Sequence, residues 1–370
     1  MTGSGPVGIG VIGAGVISDQ YLSNLTVFPD VRVLFIADLD EPRAAAQAAK
    51  WDVPRSGSVA ELLADDEVEI VINLTIPAAH VDVALQAVAA GKHVWGEKPY
   101  ALDRASGQKL LDAAAAAGKR VCVAPDTFLG AGLQTALRTI GDGSIGTPLN
   151  AIAMLQSPGP ESWHPSPEFL FAFGGGPLFD IGPYYLTTLV QTFGAVSRVS
   201  ATSSTAFSTR TIGSGPKAGT EFPVEVPTHY SALIEFEDGG SAQTVFSFES
   251  QLKRAGFVEI AGEKGTIVFP DPNNFEGPST LHTANNPDGG VEIDAVGSTY
   301  TRGTGVVELA RAIRADVPER VPGELAFHVL DVMVSITEAA ERGEAVLVES
   351  TVAPSPTLPE GWDPAESTLS

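Results

Sequence analysis

From Val7 onward the chain alternates short apolar runs with stretches where alanine and leucine recur every three or four positions. Residues 7–12, 31–37, 70–74, 93–95 and 121–124 are short, largely apolar runs, the first three rich in Val, Ile and Leu. Such runs, lacking a polar alternation, are what strands buried on both faces look like. Between them the helical pattern passes through Leu22 and Leu25, then over 42–50, 58–64, 79–90 and 105–117, with Ser58 placed as an N-cap. Strands and helices in strict alternation predict a parallel, doubly wound sheet.

After Pro125 the pattern changes. A helix is expected over 130–140 and a strand over 149–155, followed by an aromatic- and proline-rich loop at 157–173. The triplet Gly174-Gly175-Gly176 leads into a helix through Val190. Alternating runs at 196–202, 228–236, 241–248, 256–260 and 265–269, with a turn at Asp238-Gly239-Gly240, predict a mostly antiparallel sheet. Late helices are expected at 306–314 and 324–342, a polar surface loop or lid at 271–301, and a loose C-terminal tail at 353–370. The fold class is therefore α/β, with a nucleotide-type domain over 1–124 and an α+β domain over 125–352 built on one large open sheet.

Composition narrows the partners. A length of 370 residues suits two domains. Lys+Arg number 22 against 45 Asp+Glu, a net charge of −23 that repels phosphate backbones and excludes nucleic acid as a partner. The single cysteine, Cys122, forms no intramolecular disulfide and leaves no cysteine cluster for zinc; its apolar neighbours make it a buried small hydrophobe. No group of residues suggests a metal. Neither a secretory leader pattern nor an uninterrupted apolar run long enough for a membrane span is present, so a cytoplasmic protein is expected.

The first apolar run ends in Gly13-Ala-Gly15-Val16-Ile17-Ser18 and opens a helix, the strand–turn–helix setting of a dinucleotide fingerprint. Gly13 makes the turn, Gly15 lets backbone approach a pyrophosphate, and Ser18 is small enough for close packing. The helix N-terminus of Val16 and Ile17 faces the phosphates. An overlapping Gly8-x-Gly10-x-x-Gly13 lies inside the strand and is a decoy. Asp38 ends the next run about 20 residues on, the spacing of the carboxylate that binds the adenosine ribose. It favours NAD over NADP, although Arg43 nearby would tolerate a phosphate. Thr75 and Lys98 also fall just beyond strand ends, and ligands bind open α/β sheets at that edge. Lys98 stands out, since Gly91 turns the chain into a buried strand and Lys98 is delivered at its exit in Glu97-Lys98-Pro99.

With these residues in place, residues 7–350 resemble the glucose–fructose oxidoreductase/inositol dehydrogenase/rhizopine catabolism (Gfo/Idh/MocA) oxidoreductases. The resemblance rests on the glycine fingerprint, on Thr75-x-Pro77-x-x-His80, on Ala90-Gly-Lys-His-Val94 with Glu97-Lys98-Pro99, and on Gly174-Gly-Gly176-x-x-x-Asp180-x-Gly182-x-Tyr184. It implies a Rossmann domain followed by a substrate-binding and oligomerisation domain whose open sheet face is buried in a homodimer or homotetramer. The implied activity is hydride transfer between NAD or NADP and a hydroxyl of a sugar, glycoside or polyol. The implied cofactor set is Gly13, Gly15, Val16, Ile17, Ser18, Asp38, Thr75, Pro77, His80, Glu97 and Lys98, with His80 read equally as capping or packing at a helix start. Lys98, Asp180 and the last motif position are the implied catalytic group.

That last position is Tyr184, where the family often has His, which argues against an inositol dehydrogenase proper. A tyrosine with an ordinary pKa of about 10 is a poor base near neutrality, but a neighbouring lysine and a positive nicotinamide favour its phenolate. Lys98 and Tyr184 are thus read as a pair, with either able to be the base, and Asp180 as the orienting carboxylate. Trp163 and His164 offer an indole and an imidazole as a sugar platform, and Asp126 stands at the ligand edge. His229 and His328 are weaker candidates. Two other classes fit the same fold: a glycosidase that retains NAD and uses transient oxidation, and a nucleotide-sensing regulator without catalysis.

Overall fold

The computed structural model describes residues 4–286 and 288–369 and divides into two compact units. The first runs through Gly130 and adds Gly297–Phe327 and the segment from Leu358 onward; the second comprises Ala131–Val296 and His328–Thr357.

The first unit contains β1 (Val7–Ile12), α1 (Val16–Leu25), β2 (Val31–Ala37), α2 (Glu41–Lys50), β3 (Arg55–Gly57), α3 (Val59–Ala64), β4 (Ile70–Asn73), α4 (His80–Ala89), β5 (His93–Gly96), α5 (Arg104–Ala117) and β6 (Val121–Val123). Its strands form one parallel sheet in the order β3-β2-β1-β4-β5-β6, the doubly wound arrangement whose strand order reverses beside β1. Every residue of β1 is buried. The decoy glycines serve packing here: a Cβ on Gly8 would lie 1.9 Å from the Glu67 carbonyl oxygen, and one on Gly10 would press on Leu62 and Val68 at 2.9 Å. α3 starts with a full capping box between Ser58 and Glu61.

The second unit holds α6 (Ala131–Gly141), β7 (Pro148–Gln156), α7 (Gly176–Phe193), β8 (Val196–Ser204), β9 (Thr209–Thr211), β10 (Glu221–Pro223), β11 (His229–Phe236), β12 (Ser241–Ser247), β13 (Arg254–Gly262), β14 (Gly265–Val268), β15 (Ser279–Thr283) and β16 (Val291–Ile293). α8 (Thr304–Ala315) follows in the first unit, then α9 (Gly323–Arg342) and β17 (Val346–Leu347). Nine strands form one sheet, β16-β15-β14-β13-β7-β12-β11-β8-β17, antiparallel except for the β7–β12 pair. α7 packs on β7, β11 and β12. Strict alternation of buried and less buried positions along β11 leaves the opposite face open. On that face Met154 lies in register with both Val245 and Phe257, all of them half-buried.

Three expectations are corrected. Residues 271–301 are not simply a lid, because β15 and β16 extend the sheet edge there. Residues 125–130 and 297–327 join the first unit rather than the second. The C-terminal segment is not loose: Leu358 is buried, Arg311 stacks on Trp362 at 4.9 Å, and the Thr368 and Leu369 N–H groups donate to buried Asp30 at 2.9 Å.

Candidate active site

In the first unit the expected cofactor residues gather beyond the carboxyl ends of β1, β2, β4 and β5. Gly13 turns at φ +107°, and a Cβ there would lie 2.6 Å from the Leu74 carbonyl oxygen, so only glycine suits it. Gly15 is the N-cap of α1, no side chain caps that helix, and a Cβ on Gly15 would meet nothing within 4 Å. Open space before the uncapped N–H groups of Val16 and Ile17 is a fitting cradle for a pyrophosphate. Ser18 is buried, donates to the Gly15 carbonyl at 2.6 Å and accepts from Gln47 at 3.0 Å.

Asp38 is more heavily engaged than a ribose ligand alone requires. Its carboxylate accepts from Ala14 N–H at 2.7 Å, from Asp40 N–H at 2.9 Å, and from Arg43 at 2.6 and 3.1 Å in a two-pronged ion pair. Burial works to raise the Asp38 carboxyl, but the Arg43 guanidinium and the two backbone N–H groups outweigh it and hold it below the usual carboxylate range. A concavity of about 610 Å³ beside it is lined by Leu39, Ser58, Val59 and Leu63, within the roughly 300–1,000 Å³ of ordinary ligand pockets.

Thr75 donates to Asn73 Oδ1 at 2.6 Å, and Asn73 Nδ2 donates to the His80 carbonyl at 2.9 Å. Pro77 opens a short 3₁₀ turn that leads into α4. The His80 ring is buried between two loops, with Nδ1 2.9 Å from the Pro99 carbonyl and Nε2 3.0 Å from the Thr75 carbonyl. His80 therefore ties the loop after β4 to the loop after β5, which accounts physically for both motifs in one chain. Glu97 accepts from Tyr21 Oη at 2.6 Å and from Lys98 N–H at 3.2 Å, and Trp95 Nε1 donates to Tyr21 Oη at 3.2 Å. The backbone of the Lys98 turn is thus held from two sides. The Lys98–Pro99 peptide bond is cis.

Tyr21 escaped the sequence reading. It sits on the buried stripe of α1 with Ser18, Leu22 and Leu25, where an aromatic passes for core. The only available signal is that a buried phenol needs a hydrogen-bond partner.

Asp126 also lies in the first unit, but its surroundings differ from the expectation. It is fully buried, and its carboxylate accepts from the Gly303 and Gly305 N–H groups, both at 3.1 Å, and from Arg302 at 3.4 Å. This is the cap that Gly303, the N-cap residue of α8, does not itself provide. Burial pushes the Asp126 carboxyl up.

In the second unit Asp180 and Tyr184 stand one turn apart on α7 and so share a helix face. α7 begins at Gly176, which leaves Asp180 within the helix rather than at its cap. Tyr184 is largely buried. Trp163 and His164 stand on the loop between β7 and α7. His229 bonds Ser231 at 3.0 Å. His328 is fully buried, accepts from Val196 N–H and pairs with Ser350, both at 2.9 Å, so it braces the fold. Among the described residues no group of three or more His, Cys, Asp and Glu could hold a metal, and no helix is long and apolar enough to cross a membrane.

Residues 7–124 match the family model described as "Oxidoreductase family, NAD-binding Rossmann fold", and residues 133–268 match the GFO/IDH/MocA C-terminal domain. An uncharacterised oxidoreductase of Rhizobium meliloti is 28% identical over 351 residues, covering 91% of this chain and 98% of the relative. The trans-1,2-dihydrobenzene-1,2-diol dehydrogenase of Sus scrofa is 26% identical, covering 71% of this chain and 74% of its own. The solved structure of a levoglucosan dehydrogenase with NADH and L-sorbose superposes with a TM-score of 0.82 at 21% identity, covering 93% and 99% of the two chains. With matching models over both of its domains, the chain belongs to the Gfo/Idh/MocA family of NAD-binding oxidoreductases.

Proposed function

We propose that this oxidoreductase transfers a hydride between NAD(P) and a hydroxyl-bearing carbon of a sugar, glycoside or polyol. The observation that carries this reading is the rigid turn Glu97-Lys98-Pro99 at the carboxyl end of β5, braced by Tyr21 through Glu97 and by His80 through Pro99. Relatives named for dihydrodiol and inositol dehydrogenation, and a structural neighbour named for levoglucosan, support the substrate class.

Bound NAD(P) supplies the hydride acceptor. Gly13, Gly15, Val16 and Ile17 would hold its pyrophosphate, with Ser18 letting α1 pack closely beside them, Asp38 would hold its ribose, and Thr75, Pro77, His80 and Glu97 would shape the edge beside them. In this reading the Lys98 ammonium hydrogen-bonds the substrate oxygen and favours the phenolate of Tyr184. Tyr184 Oη takes the hydroxyl proton, and Asp180 orients Lys98 or the sugar. The same reading places the enzyme in the cytoplasm and buries the open sheet face around Met154, Val245 and Phe257 in a homodimer or homotetramer.

The test is a panel of sugars and polyols with NAD and NADP, followed by NADH or NADPH absorbance. Lys98→Met and Tyr184→Phe are each expected to lose at least a hundredfold in kcat with cofactor still bound. Near-normal turnover in both variants would overturn the scheme. Substrate consumption without net NADH would point instead to redox-neutral glycoside cleavage.

A further inference from the structure

The loop between β7 and α7 carries a row of three rings. Trp163 is 67% exposed and Phe169 53%, and His164 stands edge-on to both, with ring centroids at 5.6 and 5.5 Å. Among the described residues the other exposed Phe and Trp side chains, Phe173 and Phe207, lie on the same lobe of the second unit, so the exposed aromatic surface is concentrated rather than scattered.

These rings stand on a rigid base. The nearly buried Arg210 guanidinium donates to the Pro158 carbonyl at 3.1 Å and to Glu161 at 2.5 Å, and pairs with Glu249 at 3.0 Å. Gly213 N–H closes on the Glu161 carbonyl at 2.8 Å. Beneath the rings Phe171 packs with Leu170, Ile212, Phe222 and Phe248. The lobe is also fused to the start of α7: a Cβ on Gly175 would fall 2.7 Å from the Phe169 carbonyl oxygen. A loop backbone braced in this way needs little ordering when something docks on its rings.

The middle ring sets the chemistry. Ser166 N–H donates into His164 Nδ1 at 3.1 Å, so the ring proton sits on Nε2. That N–H finds no hydrogen-bond acceptor among the described residues. A hydrogen-bond donor flanked by two apolar rings matches a pyranose, which offers C–H faces to aromatic rings and hydroxyls to an imidazole. The net charge of −23 disfavours an anionic occupant. The loop that bears these rings ends at Gly175, one residue before α7, whereas Tyr184 stands two turns into that helix, about 12 Å of axial rise from Gly176, which assigns the platform to a ring other than the one that reacts.

We propose that Trp163, His164 and Phe169 form an accessory subsite for a second sugar ring, so that disaccharides and similar glycosides are preferred over free monosaccharides. This rests on the sugar reading above. The experiment compares glucose, galactose and mannose with cellobiose, maltose, lactose and phenyl β-glucoside, in the wild type and in Trp163→Ala, His164→Ala and Phe169→Ala. In parallel, saturation-transfer NMR on the NADH-loaded protein reads ring contacts independently of turnover. The expected result is a kcat/KM at least tenfold higher for one or more disaccharides. Trp163→Ala should lower that preference about tenfold, mainly through KM, and NMR transfer to the second ring should disappear. His164→Ala should weaken the disaccharide more than the phenyl glycoside. Equal handling of one and two rings, or an unchanged preference in all three variants, overturns the subsite. A phenyl glycoside that outbinds every disaccharide and ignores His164→Ala overturns the sugar occupant. If no sugar is oxidised the functional reading fails by itself, and NMR still decides the subsite: transfer to the second ring that is lost in Trp163→Ala upholds it, and its absence overturns it.

Discussion

Tyr21 Oη donates to Glu97 Oε1 at 2.6 Å, joining residues 76 positions apart and linking α1 directly to the turn that presents Lys98. The Tyr21 hydroxyl is fully buried and itself accepts from Trp95 Nε1, so the chain Trp95–Tyr21–Glu97 runs from the core to the ligand edge. Burial, with the Glu97 charge adding to it, pushes the Tyr21 phenol up and keeps it a donor. Tyr21→Phe removes that donor and strands two polar groups, a loss of about 1–3 kcal/mol. The variant is expected to melt several degrees lower and to bind NADH several-fold more weakly in a fluorescence titration. Unchanged cofactor affinity in a destabilised variant would show that Glu97 keeps its orientation without Tyr21.

In the proposed reading, cofactor choice rests on Asp38 and Arg43. The carboxylate that would meet a ribose is already gripped by the guanidinium that would meet a 2′-phosphate. Asp38→Ser removes the anion and frees Arg43 at the same time. The expected outcome is a fall in kcat/KM with NAD, a rise with NADP, and a change of at least tenfold in their ratio. Arg43→Ala in the same background should abolish the gain with NADP; a gain that persists would mean that another group reads the phosphate.

The parallel sheet was legible because strands buried on both faces read as largely apolar runs, and β1, β2 apart from Arg32, and β4 up to Asn73 do so. The positions of Gly13 and Asp38 just beyond the ends of β1 and β2 were legible because they follow directly from those strands. β15 was not, since Ser279–Thr283 is half-buried, polar and at the sheet edge, where no alternation is enforced. The anchored tail was not legible because its contacts are isolated ones, two backbone N–H groups and the Thr368 hydroxyl on Asp30 and single side chains such as Trp362 and Leu358, with no periodic pattern to mark them. The capping contacts of Asp126 were not legible for a different reason: a carboxylate beyond a strand end serves equally as a ligand group or as a cap, and sequence does not record which way it points.

His93 gives the fold an acid limit. Its Nδ1 accepts from Arg120 N–H at 3.0 Å, and burial, aided by Lys119 and Arg120, lowers its pKa to about 4. The folded state therefore resists a proton that the unfolded chain takes up at about 6.5. Stability from His93 is full above that value and is lost progressively as the pH falls toward 4. Urea unfolding at several pH values between 7.5 and 4.5 should show a shallower decline for His93→Gln than for the wild type. Parallel curves would assign the acid sensitivity to other groups.

Asp126 separates a substrate role from a structural one. Its carboxylate satisfies the Gly303 and Gly305 N–H groups at the start of α8, and Gly305 packs so tightly that a Cβ would lie 2.1 Å from the Trp95 ring. Asp126→Ala leaves those donors without the carboxylate that satisfies them and removes the Asp126–Arg302 ion pair, a cost of about 2 kcal/mol or more. The amides of residues 303–306 are expected to lose hydrogen-exchange protection first, and the melting temperature to fall, while the KM for substrate in the folded fraction changes less than twofold. A variant of normal stability with a raised KM would return Asp126 to the substrate site, because a capping carboxylate cannot be removed without loosening the helix it caps.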